Sequence, residues 1–406
     1  MRRGWKTWLF SGILVTHAAL RYELIQHKRG IPRLSAVAPG DAGSGEQLPR
    51  LSVIVPARNE EEGIGQALES LLDQDYPNLE LVVVDDRSED RTREVIGAAS
   101  ARHPGHLRTI AVTELPPGGL GQNHALWLGA RQTSGEWLLF ADADVVFEPS
   151  CCRRAVWYAE REGLGHVTMS TDAKARSFWL DAFISLFLYG FIVTRRPHLA
   201  NDPQSKIGLG MGAFNLMRRS EYLRIGTHAA ISLRPDDDLR LGTRAKQMGV
   251  RQRVLRCPDL LCIEWYPSLR AVVEGFEKNV FAVLEYNPLR VAGTVAGVFT
   301  LMVLPYLALL REKGANRMLA AVTVALHSAN LVYANKLEDR QAWSHAVVLP
   351  VTTILFIYTV LNAILKTIAR GGIRWRGTFY SLDELRQQTG LEQAGDLEAP
   401  LAPMTE

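Results

Sequence analysis

Trp137-Leu138-Leu139-Phe140-Ala141-Asp142-Ala143-Asp144-Val145 is the stretch that decides the fold. Its first half is an apolar run without alternation, which reads as a strand buried on both faces of a parallel sheet. Its second half delivers two carboxylates, one residue apart, where that strand should end. In open α/β sheets, ligands bind beyond the carboxyl ends of the strands. On an extended chain Asp142 and Asp144 need not point the same way, but at a strand-to-loop bend both can reach one cation or one polar ligand. A hard divalent cation takes oxygen ligands, phosphate oxygens included. A D-x-D pair by itself is more often a solvated turn, so the surrounding chain has to decide.

Upstream, residues 51–56 form a second buried-strand run, stopped by Pro56. A loop of Ala57-Arg58-Asn59-Glu60 follows, then a helix over 60–72. A strand over 79–84 ends in Asp85-Asp86, and a helix over 88–99 follows with Ser88 as its N-cap. A strand over 109–113, a Pro/Gly loop over 116–121 and a helix over 124–131 lead back to Trp137. Strands alternating with helices predict a mostly parallel sheet with helices on both faces. The first strand-to-helix loop contains no glycine, which removes the main support for a dinucleotide-binding oxidoreductase. Carboxylates instead end the second and fourth strands. That pattern suits a nucleotide base or ribose together with a metal-bound diphosphate.

The chain has 406 residues, with Lys+Arg 46 against Asp+Glu 43 and a net charge of +3, so overall charge gives no support for nucleic-acid binding. Its four cysteines, Cys151, Cys152, Cys257 and Cys262, form no C-x-x-C pair and no disulfide scaffold, which fits a reducing compartment. Further along, Arg234-Pro235-Asp236-Asp237-Asp238 opens a helix. Acidic residues at a helix N-terminus stabilise it through the macrodipole. Three adjacent carboxylates also repel one another, which can raise one pKa towards that of a useful base.

Three motifs in order resemble the family 2 inverting glycosyltransferases of the GT-A fold: Val53-Ile54-Val55-Pro56-Ala57-Arg58-Asn59-Glu60, then Val83-Val84-Asp85-Asp86-Arg87-Ser88, then Phe140-Ala141-Asp142-Ala143-Asp144. The resemblance covers residues 51–287. It implies that Pro56, Ala57, Glu60 and Asp86 hold the nucleotide, while Asp85 finishes its strand. It implies Asp144 as the direct ligand of Mg²⁺ or Mn²⁺ on the diphosphate, with Asp142 beside it or on the sugar or ribose. The family's acidic pair with a leucine three residues on matches Asp237-Asp238 and Leu241, making Asp238 the base and Asp237 its reserve. The glycine-led segment 208–219 resembles the family's acceptor-side strand, where glycines admit a ligand close to the backbone; a flexible loop is the alternative reading. The chain departs from the family twice. It lacks the Q-x-x-R-W motif of processive polysaccharide synthases, and segment 270–279 resembles instead the membrane-bound branch acting on carotenoid, hopanoid-associated or ceramide-type lipids. There Lys278 is either a neutraliser of the leaving diphosphate or a surface lysine. Gln122 stands where relatives carry lysine; it can hydrogen-bond a phosphate but cannot neutralise it.

Apolar segments flank and interrupt this region. Residues 8–20, interrupted by His17 and preceded by Arg2, Arg3 and Lys6, read as a short anchor or interfacial helix within 1–30, and 31–50 as a linker. Residues 178–193 are short of the roughly 20 needed to span and read as a helix lying on the membrane or buried in the core. Residues 291–310, 318–334 and 346–365 are transmembrane candidates within 288–366. In the 367–406 remainder, segment 373–380, with Trp375, Arg376 and Tyr380, suits a headgroup interface, and the tail from Leu391 reads as disordered. The positive charges after Leu365 favour a cytosolic tail, which three spans from a cytosolic domain would not give. The expectation is a hexosyltransferase of the cell (inner) membrane, multi-pass, with its catalytic domain in the cytosol. It would move sugar once from a nucleotide-sugar donor, UDP-linked, to a lipid acceptor. The alternatives are a processive synthase, a nucleotidyltransferase, and a non-catalytic nucleotide-sugar-binding membrane protein.

Overall fold

A computed structural model describes residues 4–116, 118–340, 343–375 and 377–393. Arg2, Arg3, Pro117 and Arg376, together with positions 394–406 of the tail expected to be disordered, lie outside the described residues; Leu391–Gln393 end a helix that runs from Leu382. The chain forms two compact units. One comprises Ile31–Lys174, Pro197–Trp265 and Asp383–Glu406, the other Met1–Gly30, Ala175–Arg196 and Tyr266–Leu382.

The first unit is built on ten strands: β1 Leu51–Ala57, β2 Leu79–Asp86, β3 Leu107–Val112, β4 Trp137–Phe140, β5 Val145–Phe147, β6 His166–Ser170, β7 Asp172–Ala173, β8 Asn215–Arg218, β9 Gln252–Arg256 and β10 Leu261–Ile263. Seven make the main sheet in the order β3-β2-β1-β4-β8-β6-β9. All its pairs are parallel except those made by β8, which runs against both β4 and β6. Every residue of β1 and β4 is buried, as expected for strands covered on both faces. The sheet is therefore mostly parallel, as the sequence predicts. β5, β10 and β7 form a small second sheet.

The register aligns the strand ends that matter. Ile54 pairs with Phe140 and Ala57 with Asp85, so β1, β2 and β4 finish along one edge. Two loops there interlock. Asn59, in the left-handed region at φ 55, accepts the Glu89 N–H at 2.8 Å while its own N–H donates to Ser88 Oγ at 3.2 Å. The Glu60 N–H donates to Thr92 Oγ1 at 2.7 Å. Ser88 is thus spent on the neighbouring loop, and the helix expected from Ser88 starts at Thr92 instead, its first N–H donating to Asp90 Oδ1. Likewise the helix expected from Glu60 begins at Ile64. The stretch expected as a linker is packed: Ile31, Leu34 and Ala38 are buried, and Arg153 and Arg154 donate to the carbonyls of Gly40 and Ala38.

The second unit is helical. Helix Gly4–Gly30 is twice as long as its apolar stretch suggests, because its polar residues find partners: Thr7 bonds Asn316, Lys6 pairs with Glu312, and Glu23 pairs with Arg196. Residues 288–311 form two helices, Pro288–Met302 and Leu304–Arg311, bent by 41°. Pro305 explains the break. It has no N–H to offer Leu301, four residues back. His17 fills that place, its Nε2 lying 2.9 Å from the Leu301 carbonyl oxygen. Helices Phe178–Arg195, Gly314–Leu337 and His345–Arg370 are each long and apolar enough to cross a membrane. Val347, Val351, Ile354, Tyr358, Leu361, Leu365 and Ile368 are exposed at spacings of three and four, one apolar stripe along the last of these. A hairpin, β11 Gly372–Trp375 with β12 Thr378–Ser381, follows it.

Candidate active site

The site lies within the α/β unit, at the carboxyl ends of β1, β2 and β4. At the end of β2 the two aspartates divide their work. Asp85 is buried, accepts the Ser88 N–H at 3.1 Å and binds Arg93 at 2.8 Å, so it ties off the strand. Asp86 faces the other way. Arg87, at φ 59, donates Nε to its Oδ1 at 2.8 Å, and Arg58 lies 3.8 Å from its Oδ2. The helix Gly121–Arg131 begins against this carboxylate, and a Cβ on Gly121 would collide with Asp86 Oδ2. Pro56 and Ala57 are buried at the end of β1, and Glu60 is half-buried in the loop beyond.

A cleft opens beside β4, lined by Gln122, Leu126, Phe140, Ala141, Asp142, Gly212, Asn215, His228, Asp237 and Asp238. Asp238 is its most constrained acid. It sits in the first turn of helix Asp237–Gln247, and the Gly212 N–H donates to its Oδ2 at 2.8 Å and the Leu239 N–H to its Oδ1 at 2.7 Å. Removal from water pushes its pKa up to about 6, and the negative charges of Asp142 and Asp236 push the same way. Asp236 is held by Arg234 and Arg240, which keep its own carboxyl below the usual range against the effect of burial. Of the three adjacent acids, then, one is neutralised by arginines, and Asp237 and Asp238 face the cleft.

Local backbone packing produces this geometry. A Cβ on Gly212 would lie 2.6 Å from Asp142 Oδ2, and one on Gly210 would strike the backbone oxygen of Asp238. The glycines of segment 208–212 therefore let the acidic helix and Asp142 close in; the close approach expected from a ligand is made by the protein itself. Asn123 fastens the opposite wall. Its amide donates to the carbonyls of Ile231, Ser232 and Arg234 at 2.7, 3.1 and 3.1 Å, joining the Gln122 turn to the loop that carries the acids. Buried Asn215, His166 and Gln252 form a chain of bonds that reaches Gly242 on the acidic helix.

Asp142, Gln122, Asp237 and Asp238 thus share one cleft. Asp144 is not among the lining residues; its Cβ lies 3.3 Å from where a Cβ of Gly63 would sit, at the start of helix Ile64–Leu72. Lys278 is not among the lining residues. It belongs to helix Leu269–Val283 of the helical unit, where its ammonium lies 4.0 Å from the ring centre of Trp375. Sequence reasoning missed Asn123, Asn215 and His228, single polar residues whose parts depend on their partners: carbonyls 108 to 111 positions on for Asn123, His166 49 positions back for Asn215, and Tyr222 on the preceding helix for His228.

Among the described residues no group of three His, Cys, Asp or Glu side chains could hold a metal ion unaided. The oxygen-only chemistry of Asp142 and Asp144 suits a hard cation whose shell is completed by phosphate oxygens and water. The donor set therefore fits a metal that binds with its substrate.

A mostly parallel sheet with one antiparallel strand, and carboxylates at the ends of its second and fourth strands, makes this unit a GT-A-like fold. Residues 52–225 match the family "Glycosyl transferase family 2". The probable glycosyltransferase YdaM of Bacillus subtilis (strain 168) is 34% identical over 115 residues, 28% of this chain and only 26% of YdaM. The 4,4'-diaponeurosporenoate glycosyltransferase of Staphylococcus aureus (strain MRSA252) is 22% identical over 347 residues, 82% of this chain and 89% of that protein. Among solved structures, the mannosyltransferase PcManGT from Pyrobaculum calidifontis, in complex with GDP-Man and Mn²⁺, superposes over 89% of this chain and 99% of its own, with a TM-score of 0.52 at 20% identity, a likeness of fold.

Proposed function

We propose that this protein transfers one sugar, with inversion, from a nucleotide-diphosphate donor to a hydroxyl of a membrane lipid, on the cytosolic side of the cell membrane. The carrying observation is Asp238. Its carboxylate is fixed by two backbone N–H groups and shares a cleft with Asp142, and its pKa of about 6 leaves it ionised yet basic near neutral pH.

In this reading Asp86, with Pro56, Ala57 and Glu60, holds the nucleoside, UDP being the expected donor. Asp142 orients the donor sugar, and Gln122 offers its amide to a phosphate oxygen. Asp238 accepts the acceptor's hydroxyl proton as the new oxygen–carbon bond forms at the anomeric carbon. The bond from that carbon to the diphosphate oxygen breaks on the opposite face, and the electron pair leaves with the nucleoside diphosphate. One displacement turns an α-linked donor into a β-linked product. A divalent cation held by Asp144 and Asp142, Mg²⁺ or Mn²⁺, would supply positive charge for the leaving diphosphate.

The lipid acceptor is supported by the apolar helices and by the name of the Staphylococcus aureus relative, a 4,4'-diaponeurosporenoate glycosyltransferase. Helix Phe178–Arg195 adds to this. The chain before it, to Lys174, and after it, from Pro197, belongs to one α/β unit. A membrane crossing would divide a single sheet between two faces of the bilayer, so we read this helix as lying along the surface, with exposed Phe178 and Trp179 at its start. The test uses membranes containing the protein, a panel of radiolabelled nucleotide sugars, and partition of the product. Label in the organic phase that disappears with Asp238→Asn supports the proposal. Label found only in water, as a polymer or small glycoside, removes the lipid acceptor, and unimpaired transfer by Asp238→Asn removes the base.

A further inference from the structure

His228 lines the cleft, yet the reaction as proposed gives it no part. It opens the short turn His228–Ile231 and is 1% exposed, its ring set edge-on to Phe140 with centres 4.7 Å apart. Tyr222 fixes its proton. The Tyr222 hydroxyl lies 2.8 Å from His228 Nδ1, and the His228 backbone N–H donates to the same phenol oxygen at 3.2 Å. A phenol has one proton to give. With its oxygen accepting from both the backbone N–H and the Thr227 hydroxyl, that proton is directed to Nδ1, and the ring keeps its own on Nε2. Burial drives the imidazole pKa down to about 3, so the ring is neutral. Among the described residues no hydrogen bond is made to Nε2, and the ring lines the cleft. A ligand in the cleft is the partner available to it.

The surroundings say which part of a ligand. Asp142, Asp237 and Asp238 accept hydrogen bonds, Gln122 and His228 Nε2–H donate them, and Phe140 and Leu126 provide an apolar floor. A phosphate has only acceptors and would meet three carboxylates. A sugar hydroxyl can donate to a carboxylate while accepting from an N–H. We propose that His228 Nε2–H donates to a hydroxyl oxygen of the donor's sugar and determines which sugar is accepted, an inference that rests on the glycosyl-transfer reading above.

The test takes the full-length protein in detergent, with the nucleotide sugar that the wild type accepts and a set of its monodeoxy analogues. His228→Leu should lower kcat/KM for the natural donor by about tenfold, the scale of one hydrogen bond lost from a buried donor. His228→Gln, which keeps an N–H near the same place, should recover part of that loss. Tyr222→Phe, which frees the tautomer, should weaken the preference without abolishing it. With one deoxy analogue the wild type should already show the tenfold loss, and His228→Leu should lose nothing more. Inhibition by the free nucleoside diphosphate should be unchanged throughout. An equal fall for every analogue together with weaker nucleoside diphosphate binding would make His228 a packing residue and overturn the proposal, as would no fall at all. A wild type that turns over no nucleotide sugar overturns the glycosyl-transfer reading itself, and this proposal with it.

Discussion

Replacing Asp238 by asparagine should make the protein slower and should change how its stability depends on pH. The carboxyl moves from its ordinary 3.8 to about 6 in the fold, roughly 2 units. Each unit is worth about 1.4 kcal/mol, so ionised Asp238 costs the folded α/β unit at most about 3 kcal/mol. The sign follows from which state holds the proton more tightly. Here the folded state does, so the penalty is absent below about pH 4, grows as the pH rises from 4 to 6, and is complete above 6. Asparagine escapes the charge penalty, but its NH2 group would face one of the two backbone N–H groups, a cost of about 1–3 kcal/mol that is the same at every pH. For a unit of this size each kcal/mol moves the midpoint by about 2–4 °C, so the midpoint of Asp238→Asn relative to wild type should rise by roughly 5–10 °C between pH 4 and pH 7.5. Transfer should fall by about 10²–10⁴-fold, the usual contribution of a general base. The wild-type rate should drop tenfold per pH unit below about pH 6. Thermal melts of the detergent-solubilised protein across pH, beside transfer assays, measure both. A variant whose midpoint relative to wild type is the same at pH 4 and pH 7.5 would refute the reasoning about burial, and one with wild-type transfer would refute the role.

Gly121→Ala should raise the KM for the nucleotide donor about tenfold or more with a smaller change in kcat, because its Cβ collides with Asp86 Oδ2 and displaces the proposed nucleoside ligand; initial-rate kinetics over donor concentration check this. His17→Phe should destabilise the helical unit by about 1–3 kcal/mol, since the Leu301 carbonyl then loses its only replacement for the N–H that Pro305 lacks. Adding Pro305→Ala to that variant should restore much of the loss, as read from detergent melts.

What the sequence revealed, and what it hid, divides along the range of the interactions. Buried parallel strands are contiguous apolar runs, so β1, β2 and β4 and the carboxylates that end them were legible from local pattern alone. Ser88 looked like a helix cap because the competing partner, Asn59, lies 29 residues away on another loop. The 208–212 glycines were read as room for a ligand because nothing local says that Asp142 and the acidic helix fill it. His228 and Asn123 sit in ordinary helical or turn contexts, and their roles arise from Tyr222 and from the carbonyls of 231–234. The length of helix Gly4–Gly30 was hidden for the same reason, because His17, which breaks its apolar run, is satisfied from a different helix.

The charge balance of the cleft leads to a last prediction. Asp142, Asp237 and Asp238 line it, and no lysine or arginine does. Arg234 and Arg240, the cations nearest in sequence, both bond Asp236. A donor whose sugar fills this cleft brings the negative charge of its diphosphate close to these carboxylates. Two like charges about 5 Å apart repel by about 3 kcal/mol in a surroundings of intermediate dielectric, enough to reduce affinity more than a hundredfold. Gln122 can give a hydrogen bond but no charge. Binding of the diphosphate should therefore depend steeply on a divalent cation. Gln122→Lys would place an ammonium in the cleft, at a cost of under about 1 kcal/mol for a cation in the first turn of a helix. That variant should bind nucleoside diphosphate measurably in EDTA, where the wild type does not, and should need about tenfold less Mn²⁺ for half-saturation. Equilibrium binding of labelled nucleoside diphosphate across a Mn²⁺ titration gives the answer without requiring turnover. Superimposable titrations for the two proteins would show that charge at position 122 does not govern the metal dependence.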